Sequence, residues 1–379
     1  MTEPTLLRRA IGALLLGLLL ASAFALACAA PVSTDSGGSA ADHERPDHPH
    51  FLTASAATTG TAYLPAIVRR DSLPFTFAVA ADMRLYAGPG LYDTPQHFRG
   101  VCEAIHSLVG SAFLVSPGDI DPPAAVEWTI QRYLGSQMLW YPVVGNHEAE
   151  TPEDMEWLRA YDYDANGDLP PNIVRTGPPG CPETTYSFDY SNAHFVVLNL
   201  YCSAAGDSGA VGEVGDALYE WLSDDLTATD RTHIFVFGHE PAYPQPDADN
   251  GRLRHLGESL DRNPAGRDRF WRLLQDNGVV AYICGHTHNY SAVQIEGIWQ
   301  LDAGHARGIG DTGARSTFIM VHVDGDIVRF ETYRDDSQGG PYTLADSGIL
   351  TGTVALSGLT QTDELAARSA AQPSTGYRR

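Results

Sequence analysis

Residues 77–86 read FAVAADMRLY, an apolar run that ends in the carboxylate of Asp82 and is followed by Arg84. An apolar run bounded by polar residues is typical of a buried strand. Open α/β sheets place ligands at the carboxyl ends of their strands, so Asp82 stands where a functional group would stand. A loop with two solvated charges is the alternative, and the rest of the chain decides between them.

Strand and helix patterns alternate after this first strand. We predict strands at 75–81, 112–116, 139–144, 184–189, 194–200, 233–237 and 279–284, and helices at 94–108, 123–134, 152–161, 213–226 and 266–276. The chain then turns to strands alone, at 290–295, 298–302, 316–323 and 327–333. Alternation of this kind indicates an α/β domain, and the closing strands indicate a second sheet packed against the first.

Five of the predicted strands are followed directly by side chains that can bind a metal ion. In chain order these are Asp82, Asp119, Asn146, His147, Glu148, His239, His286 and His288. Carboxylate, carboxamide oxygen and imidazole suit divalent or trivalent ions such as Mn, Fe, Zn or Co. More ligands converge than one tetrahedral ion needs, so we expect two ions, which can clamp a phosphoryl group and generate a hydroxide nucleophile.

This series, D…GD…GNHE…VFGH…GHTH, resembles the calcineurin-like metallophosphoesterases, and YSFDYSNAHFVVLN is similar to their purple-acid-phosphatase-like branch. The resemblance covers about residues 73–335. It implies an α/β fold of two mixed β-sheets packed as a sandwich and flanked by α-helices. It also implies a two-metal site and hydrolysis of phosphate mono- or diesters.

The resemblance assigns roles to the strand-end residues. The implied metal ligands are Asp119 as the bridge, Asn146, His239 and His286 on the second metal, and Asp82 and His288 on the first. His147 resembles the catalytic imidazole that contacts the phosphate and helps to protonate the leaving group, with Glu148 as its orienter. The long insertions at 148–183 and 241–265 are expected to shape the substrate pocket.

The first motif departs from the family pattern at Arg84. Most members read D-x-H, with the histidine on the first metal, and purple acid phosphatases supply a tyrosine through GDxxY, where this chain has Pro122. A guanidinium is not an ordinary metal ligand, so the first site needs water or another residue such as His305 of DAGHARG. Arg84 itself has three interpretations: a fork for a substrate phosphate, a structural ion pair with an acidic neighbour, or a solvated side chain.

The N-terminus is typical of an export signal. Two arginines precede an apolar stretch at 10–27 and the small residues ALACAAP, the pattern of a cleaved secretory signal peptide, with an uncleaved anchor as the alternative. Cys28 also suits a bacterial lipoprotein signal and a lipid anchor, although Ala25 stands where that pattern prefers a large aliphatic residue. We therefore expect a secreted or cell-envelope protein.

The composition divides the chain into four segments. We expect a signal peptide at 1–30, a flexible low-complexity linker at 31–72, a catalytic domain at 73–337 and a partly disordered tail at 338–379. The linker contains the histidine-rich patch DHERPDHPH, which we interpret as part of a flexible tether; the alternative is a surface tract that scavenges metal ions.

Export permits disulfides. Cys102 and Cys284 lie in apolar patterns and suit small core residues. Cys181 and Cys202 bracket a predicted hairpin, and we expect a disulfide between them, although sequence alone does not determine connectivity.

Two further features limit the choice of ligands. The formal net charge of −23 argues against a nucleic-acid partner, because phosphate neutralisation needs clustered Lys and Arg. DYDANGDL at 162–169 resembles the start of a calcium loop, but its twelfth position is Ile173 rather than Glu, which favours a polar surface turn over calcium.

The expected partner is a small-molecule or exposed phosphoester. The second hypothesis is a secreted binding or cell-surface protein on a phosphoesterase scaffold with an incomplete metal site. The missing histidine at position 84 supports it, and the intact GNHE and GHTH motifs oppose it.

Overall fold

The computed structural model describes residues 73–108, 110–161, 170–203 and 205–351. The predicted signal peptide with Cys28, the linker, the calcium-like stretch at 162–169 and the chain beyond 351 lie outside the described residues. Among the described residues, no helix combines the length and apolar character that crossing a bilayer requires.

Within the described residues the chain forms strands and helices in near alternation. The strands are β1 Phe75–Val79, β2 Ser111–Ser116, β3 Leu139–Pro142, β4 Ile173–Thr176, β5 Tyr186–Tyr190, β6 Ala193–Val197, β7 His233–Phe237, β8 Ala281–Cys284, β9 Tyr290–Ile295, β10 Ile298–Ala303, β11 Thr317–Asp324, β12 Ile327–Arg334 and β13 Thr343–Thr351. The helices are α1 Phe98–Ser107, α2 Pro123–Tyr133, α3 Asn146–Ala149, α4 Pro152–Arg159, α5 Asp216–Ala228 and α6 Pro264–Asp276.

The strands build two mixed sheets. One has the order β13-β12-β11-β1-β2-β3, and the other has the order β4-β5-β6-β7-β8-β10-β9. Strands β1, β2 and β3 are parallel to each other, as are β6, β7 and β8. The loops that follow parallel neighbours leave each sheet at a common edge, which is where the predicted site residues lie.

The two sheets pack face to face through phenylalanines. Phe77 and Phe113 of the first sheet meet Phe195 of the second at ring-centroid distances of 5.3 and 5.1 Å, and all three are fully buried. Alternate residues of β1 face the other way: Ala78 joins a separate cluster with helix residues such as Phe98. This period of two, buried on both faces, explains why the strand reads as a continuous apolar run. The predicted sandwich flanked by helices is confirmed.

The predicted elements are present with shifted bounds, and the prediction missed β4, β13 and the single-turn α3. The stretch at 343–351, assigned from sequence to a partly disordered tail, forms β13 and pairs antiparallel with β12. Its side chains are mostly exposed, with Leu350 buried. Because an edge strand is held by backbone hydrogen bonds to one neighbour, it needs little apolar pattern, and composition alone gave the wrong assignment.

The cysteines among the described residues have the predicted pairing and burial. Cys181 and Cys202 form a disulfide between residues 21 positions apart, and Cys102 and Cys284 are free and buried. The disulfide joins the chain just before β5 to the loop after β6, so it closes the hairpin that β5 and β6 form.

Candidate metal centre

The strand-end residues lie close together, in the loops that follow the carboxyl ends of the parallel strands of both sheets. Asp82 follows β1, Asp119 follows β2, Asn146 and His147 begin α3 after β3, His239 follows β7, and His286 and His288 follow β8. Asp82, Asp119, His286 and His288 all have positive φ angles, of 54°, 54°, 71° and 58°. Such conformations cost non-glycine residues on the order of 1–3 kcal/mol each and cluster at functional sites.

Two glycines make room for these loops. A Cβ atom on Gly118 would collide with the ring of His239, and one on Gly145 would collide with the backbone nitrogen of Asp119. The glycines of the GD and GNH motifs therefore serve close approach between neighbouring loops as well as turning.

The predicted second-metal ligands converge on His239. Its Nδ1 donates to the carbonyl of Pro117 at 2.8 Å, so its Nε2 carries a lone pair. That Nε2 lies 3.3 Å from Asn146 Oδ1 and 3.3 Å from Asp119 Oδ1. Burial lowers the pKa of His239, which keeps its ring neutral. A nitrogen lone pair that faces two oxygens with no hydrogen between them suits a cation, so these residues fit a metal ion.

His286 lies beside the same group. Its Nδ1 is 3.1 Å from His239 Nε2, and burial holds its pKa well below the usual range for histidine. A neutral imidazole at this distance can serve as a further ligand of the same ion.

Asp82 presents a carboxylate oxygen without a partner. The side chain is fully buried, and its Oδ2 accepts a hydrogen bond from the backbone nitrogen of His286 at 2.9 Å. Its Oδ1 is buried and has no hydrogen-bond partner within the described chain. Burial, and then the charge of Asp119, raises the pKa of Asp82 well above its usual value. Asp82, Asp119 and His239 each offer a ligand atom, and these atoms lie within 4.8 Å of one another.

His288 is held by two residues that the sequence analysis missed. Its Nδ1 donates to Asp311 Oδ2 at 2.6 Å, and its Nε2 lies 3.4 Å from Asp82 Oδ1. The guanidinium of Arg307 lies 3.0 Å from the same Nε2. Arg307 belongs to DAGHARG, in which His305 was the residue considered from sequence, and Asp311 lies outside the quoted motifs.

His305, the candidate fourth ligand of the first metal, is occupied on both ring nitrogens. Its Nε2 donates to the carbonyl of Ala314 at 3.1 Å, and its Nδ1 accepts from the backbone nitrogen of Arg307 at 3.2 Å. The ring is fully buried and has no free lone pair for a metal, so the structure does not support this candidate.

His147 reaches the centre from the solvent side. Its Nε2 lies 3.7 Å from Asp119 Oδ2, and its side chain is 31% exposed. It is therefore open to an incoming substrate while close to the metal ligands.

Glu148 does not orient His147. Its carboxylate accepts hydrogen bonds from the backbone nitrogens of Gly145 at 2.7 Å, Ile120 at 2.8 Å and Asp119 at 3.0 Å. Burial, and then the neighbouring Asp119, raises the pKa of Glu148, while the backbone donors lower it. Both of its oxygens face N–H groups, so Glu148 fixes the loop that carries Asp119.

Arg84 forms an ion pair with Asp121. Its Nε lies 2.9 Å from Asp121 Oδ1 and its Nη2 lies 3.4 Å from Oδ2, with side chains 23% and 11% exposed. These contacts match the second of the three interpretations, the structural ion pair.

The insertion at 241–265 brings two further polar residues to the centre. The ring of His255 lies 4.2 Å from the ring of His286, and Arg254 Nη1 lies 3.8 Å from Asp311 Oδ2. Both side chains are about a quarter to a third exposed, at 26% and 32%. The run RLRH in a strongly acidic chain was the one sequence signal that could have marked them.

Comparison with known proteins gives consistent matches. Residues 75–290 match the family described as calcineurin-like phosphoesterase. An acid phosphatase of Aspergillus ficuum is 28% identical over 46% of this chain and 37% of its own length. Tartrate-resistant acid phosphatase type 5 of Rattus norvegicus is 31% identical over 34% of each chain. The chain thus spans little more than a third of the curated relatives it matches.

A solved structure described as PhoD shares the fold. It has a TM-score of 0.50 at 12% identity and covers 78% of this chain and 76% of that one. At this identity the likeness concerns the arrangement of strands and helices alone.

Proposed function

The chain belongs to the calcineurin-like phosphoesterase family, and on that premise we propose that it hydrolyses phosphate monoesters outside the cytoplasm. The observation that carries the proposal is that His239 Nε2 lies 3.3 Å from the side-chain oxygen of Asn146 and 3.3 Å from Asp119 Oδ1. The proposal needs one ion at these ligands and does not depend on a second ion at Asp82 and His288.

A bound ion supplies a Lewis acid for a phosphoryl oxygen and lowers the pKa of water in its coordination sphere. The chain's part is to fix the ligands before substrate arrives. Glu148 immobilises the Asp119 loop through hydrogen bonds from the backbone nitrogens of Asp119 and Ile120, and Pro117 fixes the tautomer of His239. Such preorganisation avoids a reorganisation cost during the reaction.

His147 is the proposed proton donor. When the P–O bond of a phosphate ester breaks, the alcohol leaves as an alkoxide unless its oxygen is protonated, and positioned acids contribute roughly 10²- to 10⁴-fold to such steps. His147 is partly exposed and borders Asp119, so a substrate bound at the ion would place its leaving oxygen near this ring.

Arg254 and His255 support a preference for monoesters over diesters. They add polar donors, one of them a fixed positive charge, beside His286. A monoester presents a dianionic phosphate that can use donors on several sides, whereas a diester has one of those oxygens blocked by its second alcohol.

Export is part of the proposal. The N-terminal signal pattern supports it, and so does the disulfide of Cys181 and Cys202, because disulfides persist in oxidising compartments. A lipid anchor through Cys28 stays a prediction.

The test is an assay of the mature chain with added Mn, Fe, Zn or Co on p-nitrophenyl phosphate and on bis-p-nitrophenyl phosphate. We expect monoester turnover to exceed diester turnover. His239→Ala should lose both metal and activity, whereas His147→Ala should keep its metal and lose roughly 10²- to 10⁴-fold in kcat. His106→Ala, an exposed histidine in α1, is the matched control and should behave as the unmodified chain.

Metal binding without turnover of either ester would contradict the proposal. It would favour the second hypothesis, a secreted binding protein on this scaffold.

A further inference from the structure

Arg307 places a guanidinium among the predicted ligands of the first metal. It lies in the loop after β10, and only 8% of the residue is exposed. Its Nε donates to the backbone carbonyl of Asp82 at 2.7 Å, and its Nη2 lies 3.0 Å from His288 Nε2. It therefore joins the backbone of Asp82 to the side chain of His288, two of the three residues that the family resemblance assigns to that metal.

The hydrogen bond from Arg307 takes up the lone pair that a metal would need. His288 Nδ1 donates to Asp311, because a carboxylate can only accept, and this leaves Nε2 as the acceptor. A metal binds a histidine nitrogen at about 2.0–2.1 Å along that same lone pair. The lone pair cannot serve both groups, so Arg307 in this position and an ion on His288 exclude each other.

The backbone of Arg307 is anchored as well as its side chain. Its nitrogen donates to His305 Nδ1 at 3.2 Å, and its carbonyl lies 3.2 Å from His97 Nδ1. Displacing the guanidinium would break two hydrogen bonds in a buried site and place an ion beside a fixed positive charge. Both effects disfavour a metal on His288.

The second-metal ligands show no such competition. No arginine or lysine donates to His239 Nε2 or to the Asn146 oxygen among the contacts of the described residues. The other contact of His239 Nε2 is His286 Nδ1 at 3.1 Å, a neutral ring that is itself a proposed ligand of the same ion. The first site also lacks the family histidine, since position 84 carries an arginine that pairs with Asp121. The residues therefore fit an ion at the second site, whereas at the first the lone pair of His288 is already taken and the family histidine is missing.

We propose that the centre binds one metal ion per chain, at Asp119, Asn146, His239 and His286, and that Arg307 is the second cation of the site. The guanidinium takes the place of the first metal beside Asp82 and His288. There it offsets the charge of the buried Asp82 and Asp119 carboxylates without being removable by a chelator. This inference rests on the proposed metal centre, but it concerns the number of ions rather than turnover.

The test counts ions in the full mature chain. The protein is stripped with chelator, titrated with Mn²⁺ by calorimetry, and its metal content is measured after dialysis. Electron paramagnetic resonance then separates isolated Mn²⁺ from an exchange-coupled pair. The variants are Arg307→Ala, His288→Ala and the double variant, with Arg315→Ala as the control, because Arg315 pairs with Asp249 instead. Thermal unfolding checks that each variant is folded.

We expect one ion with an isolated spectrum in the unmodified chain, in the Arg315→Ala control and in His288→Ala. Removal of the guanidinium in Arg307→Ala should free His288 and raise the count to two with a coupled spectrum. The double variant should return to one. Two ions in the unmodified chain, falling to one in His288→Ala, would overturn the inference and leave phosphoester hydrolysis intact. No bound ion in any variant would overturn both.

Discussion

Replacing Glu148 tests whether this carboxylate holds the Asp119 loop, as its contacts indicate, or orients His147. In Glu148→Ala, the backbone nitrogens of Gly145, Asp119 and Ile120 lose their acceptor in a fully buried site. Hydrogen bonds to a charged group contribute about 1.5–3 kcal/mol each, and water entering the cavity restores part of the loss. We therefore expect the free energy of unfolding to fall by about 3–5 kcal/mol, as for other broken buried charge networks.

Glu148→Gln is the milder change. One side-chain oxygen remains as an acceptor, while the new NH₂ group faces a backbone donor, so about half of that loss is expected. Glu150→Ala is the matched control: it removes a carboxylate two residues away whose side chain is 62% exposed, and it should change stability by less than about 0.5 kcal/mol. The free energies come from urea unfolding of metal-free protein, followed by tryptophan fluorescence.

The two roles of Glu148 give different results. If it orients His147, Glu148→Gln should lower kcat as His147→Ala does and leave the unfolding curve unchanged. Glu148 variants that unfold within about 1 kcal/mol of the unmodified chain would refute the loop-holding role.

Three further predictions concern stability. Burial lowers the pKa of His194, but hydrogen bonds to its two carboxylate partners outweigh this and raise it to about 9. The resulting stabilisation is complete below the unfolded pKa of about 6.5 and is lost as pH rises through 9, so the unmodified chain should lose about 3 kcal/mol more than His194→Gln across that window. Reduction of the Cys181–Cys202 disulfide, which joins residues 21 positions apart, should lower the free energy of unfolding by about 3 kcal/mol, and a Cys181→Ala/Cys202→Ala variant should not respond to reductant. Arg84→Gln should cost up to about 1 kcal/mol through the lost pair with Asp121, and a large loss of kcat at unchanged stability would instead support the phosphate-binding interpretation of Arg84.

The layout of the domain could be predicted because each core strand is buried on both faces. Such strands read as apolar runs, and the polar residue that ends each run marks the sheet edge. Phe77 and Ala78 show the cause: they face opposite layers of the protein, and both are buried. Strand β13 has mostly exposed side chains, so its pairing with β12 leaves no comparable pattern in the sequence.

The convergence of Asp82, Asp119 and His239 could be predicted, but the partners of the charged residues around them could not. Because Glu148 is adjacent to His147 in the sequence, it is predicted to orient that ring. A side chain in a one-turn helix can point to either neighbouring loop, however, and Glu148 accepts hydrogen bonds from the loop after β2. Arg307 is 225 residues from Asp82 in sequence, and only the fold brings them together. Contacts of this kind depend on tertiary packing, which a local motif does not encode.

Arg84 and Arg307 can both be explained by the replacement of the first metal with a guanidinium. If Arg307 supplies the cation beside His288, a histidine at position 84 has no ion to bind, and that position is free to pair with Asp121 instead. On this reasoning Arg84→His alone should leave the Mn²⁺ count at one, because Arg307 still takes the His288 lone pair. Arg84→His combined with Arg307→Ala should bind two ions, and the second more tightly than Arg307→Ala does, because the family ligand is restored. A second ion in Arg84→His alone would instead mean that the missing histidine, and not the guanidinium, limits the first site.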